Sequence, residues 1–133
     1  VLDMVRDTAK AVNPTGTFTH GRNSDAANVP NKPYPHIHLF PFRRSSDPSE
    51  TFKKTTPLMM YFVEKDEGNQ DAKEREGIIS RMDVLCTDYI DRITLDYEHD
   101  IQFTAIDDEP QYQILEGVSG YTLSMTIKSQ VGC

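Results

Sequence analysis

Asp71-Ala72-Lys73-Glu74-Arg75-Glu76-Gly77-Ile78-Ile79-Ser80-Arg81-Met82-Asp83-Val84-Leu85-Cys86-Thr87-Asp88-Tyr89-Ile90-Asp91-Arg92-Ile93 is the stretch on which the fold turns. Ile78, Ile79, Met82, Leu85, Cys86, Tyr89, Ile90 and Ile93 recur at the spacing that lays one apolar stripe along a helix, while Arg75, Arg81, Asp83, Asp88, Asp91 and Arg92 fall largely off it. Asp71 is a good N-cap residue, and Glu74 three positions on completes a capping-box pattern. The reading is an amphipathic helix of about 22–25 residues, ~35 Å long. A stripe of that length needs a sheet to cover.

The segments on either side supply one. Leu58-Met59-Met60-Tyr61-Phe62-Val63 is apolar in both alternating sets, the pattern of a central strand covered on two faces. Tyr121, Leu123, Met125 and Ile127 alternate with Thr122, Ser124, Thr126 and Lys128, which predicts a strand with one buried and one wet face. Ile101 to Ile106 reads as a further strand, Asp107-Asp108-Glu109-Pro110 as an acidic turn, and Tyr112 to Leu115 as a short strand. Gly117 and Gly120 bracket another turn.

Towards the N-terminus, Leu2, Val5, Ala9 and Val12 predict a short amphipathic helix that Asn13-Pro14 stops. The prolines and glycines between Asn13 and Pro35 predict a long loop there, either an arm or binding loop in which Phe18 could be the anchor or a merely floppy connection. His36 to Phe42 reads as a strand, and the prolines at its ends point to a sheet edge. Residues 43–56 form a long polar connection, locally basic at Arg43, Arg44, Lys53 and Lys54. The expected architecture is therefore a single α+β domain over residues 1–133. It has a mostly antiparallel sheet, one long amphipathic helix packed on a face, a short N-terminal helix, and long loops at about 13–35 and 43–56.

Composition narrows the function. With 21 acidic and 14 basic residues the net charge is −7, which disfavours general adhesion to nucleic acid or an anionic membrane. No apolar run reaches the ~20 residues that cross a bilayer. Val1-Leu2-Asp3-Met4 has neither the charged head nor the apolar stretch of a signal peptide, so a protein not exported by that route is expected. Two cysteines, Cys86 and Cys133, make no disulfide framework; Cys86 lies on the apolar stripe and is expected to be a packed thiol.

His36 and His38 are the candidate metal ligands, because residues two apart on a strand share a face and both imidazoles could reach one ion. His20, His99 or a carboxylate would have to complete the set, and the spacing selects none. The competing reading is a pair of surface histidines at a sheet edge. Glu64, Asp66 and Glu67, and Asp107, Asp108 and Glu109, read as solvated acidic turns rather than as paired acid–base carboxylates. The sequence contains no Gly-x-Ser-x-Gly, phosphate-binding loop, Gly-x-Gly-x-x-Gly or His-Glu-x-x-His. The expectation is a protein that is not an enzyme and carries no cofactor.

The element order and two segments resemble tail-terminator and head–tail connector proteins of tailed bacteriophages. The first runs from Pro57-Leu58-Met59-Met60-Tyr61-Phe62-Val63 through the acidic turn into Arg75-Glu76-Gly77-Ile78-Ile79-Ser80-Arg81-Met82-Asp83; the second is Gly120-Tyr121-Thr122-Leu123-Ser124-Met125-Thr126-Ile127. The resemblance implies a structural subunit of the virion, put together in the host bacterial cytoplasm. Such a subunit closes into a homo-oligomeric ring, often of six copies, that touches other neck or tail proteins while DNA passes through without specific binding. It implies no catalytic residues. If a ring forms, Phe18, Arg22, Arg43, Arg44, Lys53 and Lys54 are the expected contacts between subunits or rings. Two rivals stay open: a small metal-dependent enzyme built on His36 and His38, and a monomeric adaptor whose 13–35 loop binds a protein.

Overall fold

The computed structural model describes residues 2–22, 33–43, 45–47, 53–66, 72–97, 101–115 and 118–130. In chain order these form α1 (Leu2–Val12), β1 (Thr17–His20), β2 (His36–Leu39), β3 (Ser45–Asp47), β4 (Lys53–Lys65), α2 (Ala72–Asp96), β5 (Ile101–Leu115) and β6 (Val118–Gln130). The class is α+β. The strands make one mixed sheet in the order β1-β2-β4-β6-β5, with β3 paired to the start of β4. Among the described residues only β1 and β2 run parallel; the other pairings are antiparallel.

Both helices lie where the periodicity puts them, and α2 runs for 25 residues. Ile78, Met82, Leu85, Cys86, Tyr89 and Ile93 are its buried residues, and Ile79 is half-buried. They belong to one core cluster with Met4, Val5 and Ala9 of α1, Ile37 and Leu39 of β2, Leu58, Met60 and Phe62 of β4, and Leu123, Met125 and Ile127 of β6. The Phe62 and Tyr89 rings meet edge to face with centroids 5.4 Å apart, and the Tyr89 hydroxyl donates to the Val5 carbonyl at 3.4 Å. The register is consistent with the alternation along each strand: Met60 pairs with Leu123, Leu58 with Met125 and Ile37 with Phe62. A second, smaller cluster forms from the odd positions of β4, Tyr61 and Val63, with Val118, Tyr34 and Phe40. The two-sided apolar pattern of β4 thus corresponds to burial on both sides of this strand.

Several local expectations are corrected. Within the predicted 13–35 loop, Thr17–His20 is a strand, paired residue for residue with His36–Leu39. Four residues are too short to show a period, and this pairing is set by a distant partner. It also makes β2 an inner strand, with β1 on one side and β4 on the other, so His36 and His38 do not lie at a sheet edge. The 43–56 connection is shorter than expected: Ser45–Asp47 pairs with Lys53–Thr55, and β4 already begins at Lys53. Pro57 sits between the β3 and β2 ladders on β4, in an interval where a residue without an N–H is tolerated.

Most of the difference lies in β5. Asp107-Asp108-Glu109-Pro110 is not a turn; it continues a 15-residue strand, paired with Ser124 back to Tyr121 of β6. The register shifts between Thr104 and Asp107, where Ala105 has a φ of 50°. The strand survives this bulge because it is the sheet's outer strand, where charges and a proline meet solvent instead of a neighbouring ladder. Gly120 likewise falls inside β6 rather than in a turn: a Cβ there would run into the Phe62 carbonyl on β4.

Candidate functional site

The sheet side away from the main core holds an unusual group of buried polar atoms. Alternation on β2 sends Ile37 and Leu39 to the core, so His36 and His38 face the other way, with exposures of 1% and 0%. Parallel pairing sets Thr19 beside His38 and Thr17 beside His36. The Thr19 hydroxyl lies 2.6 Å from His36 Nε2 and 2.6 Å from His38 Nδ1, and His38 Nε2 lies 2.8 Å from the Gly21 carbonyl. These partners assign the protons. A carbonyl only accepts, so His38 Nε2 carries a hydrogen. In a neutral ring Nδ1 then accepts, and the Thr19 hydroxyl donates to it. The Thr19 oxygen in turn accepts from His36 Nε2–H. With both imidazoles neutral, each donor in this relay from His36 to Gly21 meets an acceptor.

Aromatic rings enclose the pair. Tyr61 on β4 lies with its centroid 5.1 Å from His38 and 6.3 Å from His36, and Phe40 lies 5.1 Å from His38. The Tyr61 hydroxyl is buried without a hydrogen-bond partner among the described residues, and burial pushes its ionisation well above the usual tyrosine range. The ring nitrogens nearest Thr19, which would have to ligate an ion, are spent on hydrogen bonds. Among the described residues no group of three or more His, Cys, Asp or Glu side chains comes together to hold a metal. Chemically the arrangement is a buried hydrogen-bond relay.

Asp66, expected in a solvated turn with Glu64 and Glu67, is fully buried. It accepts from Ser119 Oγ at 2.6 Å and from Arg75 Nε at 3.0 Å, which ties the end of β4 to β6 and to the first turns of α2. Position 66 continues the alternation that sends Phe62 and Glu64 towards the helix, and Glu64 accepts from Arg81 Nε at 2.8 Å. Beside these pairs an open cleft of about 330 Å³ is lined by Tyr34, Glu64, Lys65, Glu74, Ile78 and Arg81. Its mixed charges select no single ligand.

The remaining candidates are scattered. Phe18 is half-buried against the main core cluster and so anchors β1 to the sheet. Arg22 and Arg43 are exposed and Lys54 is half-buried; Arg44 and the side chain of Lys53 lie outside the described residues, as do Glu67, His99 and Cys133. His20 is exposed, its ring 5.5 Å from that of Phe42. Asp107, Asp108 and Glu109 are exposed on β5. Cys86 is a buried free thiol, 3.9 Å from a carboxylate oxygen of Asp108; burial and that carboxylate push it up to about 12, so it holds its proton at neutral pH. Sequence reading misses Thr19, Tyr61 and the Asp66–Arg75–Ser119 group. For Thr19 one signal was present: Thr17 and Thr19 flank Phe18 in a two-residue period that was too short to weigh.

No protein-family model matches the chain, and no curated protein matches it either. No helix among the described residues is long and apolar enough to cross a membrane.

Proposed function

We propose that this chain is a structural ring subunit of a tailed bacteriophage, seated at the tail terminus or head–tail joint around the DNA channel. The observation that carries the reading is the opposite charge on the two sides of the sheet. Asp107, Asp108 and Glu109 stand exposed along β5 at one edge, while exposed Arg22 follows β1 at the other and exposed Arg43 lies in the link from β2 to β3. Unlike edges that attract each other favour head-to-tail association, and head-to-tail contacts close into rings when the rotation between copies allows. In this reading α2 covers one face of the sheet, six copies surround the channel, and the acidic balance keeps DNA from adhering as it passes. Exposed Met59, on the face opposite α2, belongs to a contact with a neighbouring subunit or ring. The virion is then where the protein resides, with other neck and tail proteins as its partners.

Native mass spectrometry across a concentration series, with negative-stain images of the same samples, tests the reading. Closed multimers are expected from the native chain. Reversal of Arg43 and Arg44 to Glu should leave folded monomers, and so should reversal of Asp107 and Asp108 to Lys. An equimolar mixture of the two variants should assemble again, because each altered edge then meets one of opposite sign. Assembly that ignores both reversals removes the charged edges from the proposal. A folded, metal-free monomer at every concentration favours the adaptor reading, and one metal ion per chain favours the enzyme reading.

A further inference from the structure

The relay adds three side-chain bonds to the short backbone ladder that joins β1 to β2. β1 is four residues long and, among the described residues, pairs only with β2. At its ends Thr17 N–H donates to the Pro35 carbonyl at 3.1 Å and Gly21 N–H to the Leu39 carbonyl at 3.0 Å. The histidines belong to β2, whereas Thr19 and the Gly21 carbonyl belong to β1 and its exit. All three side-chain bonds of the relay therefore cross the β1–β2 boundary. We propose that Thr19, His36 and His38 form an acid-released latch that holds β1 in the sheet.

Proton counting gives the latch its direction. One proton can be absorbed by reversing the relay: His38 Nδ1–H donates to Thr19, the Thr19 hydroxyl donates to His36 Nε2, and the His36 hydrogen moves to Nδ1. A second proton cannot be absorbed in this way. Both rings would then donate to the Thr19 oxygen, the hydroxyl hydrogen would lose its acceptor within the relay, and two cations would sit with centroids 6.0 Å apart out of water. The closed latch holds at most one proton; the open form, with both rings in solvent, holds two.

Tyr61 faces the pair from β4 and keeps its proton throughout the range in question. Tyr34 packs against the same cluster, with Lys65 of β4 acting on it. β6 contributes the apolar Val118. Glu64 and Asp66 are engaged by Arg81 and Arg75 of α2 on the opposite face, and on β1 the His20 ring is turned to Phe42.

The sign follows. Opening takes up one to two protons on groups whose ordinary value is ~6.5, so the open fraction grows as pH falls through that value and is smallest above it. Between about pH 7.5 and 5.5 the opening equilibrium should rise roughly 10-fold for one proton and roughly 100-fold for two. The consequence is exposure of Phe18 and of the β2 edge on which β1 had paired.

Amide hydrogen exchange on the full chain, corrected for the intrinsic pH dependence of exchange, reads this directly. Protection at Gly21 and Thr17 should fall 10- to 100-fold over that range, while Met60 and Leu123 in the β4–β6 ladder stay protected. Nitrogen-15 spectra of the unaltered protein at pH 7.5 should show His36 and His38 both neutral and protonated at Nε2. A His36→Gln/His38→Gln variant, if it folds, should flatten the pH response. Flat protection at Gly21 in the native chain overturns the latch, as does parallel loss across β4 and β6, or a His38 that carries its hydrogen on Nδ1 at pH 7.5.

Discussion

Replacing Arg75 with Met keeps the aliphatic stem of the side chain and removes the guanidinium, so the buried carboxylate of Asp66 keeps the Ser119 hydroxyl but loses this cation. That carboxylate has no solvent exposure, whereas the Arg75 side chain is 28% exposed, and the two meet at 3.0 Å. A hydrogen bond to a charged group contributes about 1.5–3 kcal/mol, and breaking a buried pair from one side costs about 3–5 kcal/mol. Partial exposure of Arg75 places this pair near the overlap of those ranges, so Arg75→Met should cost about 3 kcal/mol at neutral pH. For a chain of this size that is roughly a 10 °C fall in Tm. Urea unfolding, followed by circular dichroism at about pH 7 and again at about pH 5, would measure it. Acidification should narrow the gap between variant and parent, because a protonated Asp66 in the variant no longer needs a counter-charge. Added salt should leave the gap nearly unchanged, since buried charges are weakly screened. A loss below about 0.5 kcal/mol at pH 7, or a gap that widens on acidification, would refute this account of how α2 is fixed to the end of β4.

Three further outcomes follow from single positions. Gly120→Ala should destabilise by roughly 2 kcal/mol or more, because the added methyl group collides with the Phe62 carbonyl on a neighbouring strand; denaturant midpoints would show it. Tyr61→Phe should leave stability unchanged or raise it by up to about 1 kcal/mol, since the hydroxyl removed is buried without a partner among the described residues; a clear loss in urea would reveal a bond. Cys86 should resist a thiol reagent at about pH 8 in the native protein and react on unfolding, its thiol being pushed up to about 12 by burial and Asp108; rapid native labelling would contradict that.

What could be read from the sequence was whatever a local period records. The stripe from Ile78 to Ile93 gives α2 its length, and the alternation from Tyr121 to Ile127 gives β6 its buried face, because burial selects apolar residues at the pitch of the element. β5 escaped because an outer strand can carry Asp107, Asp108, Glu109 and Pro110 without desolvating them, so its composition is that of a turn. The histidine pair was placed on one face of one strand, as found, yet read as surface. Its burial depends on Thr19 and Gly21, residues that pairing with a distant segment brings alongside. Asp66 escaped for the same reason: its partners, Arg75 and Ser119, lie 9 and 53 positions away.

The acidic run of β5 also bears on how the protein behaves in concentrated solution. An outer strand of 15 residues could template its own kind, each chain adding to the last until an insoluble fibril grows. Asp107, Asp108 and Glu109 repel the same residues of an incoming copy, Pro110 lacks an N–H to offer, and the bulge at Ala105 spoils a flat approach. These few positions act as gatekeepers for the whole strand. Neutralising them should make the protein precipitate with β-sheet character, while the fold of each individual chain stays nearly unchanged.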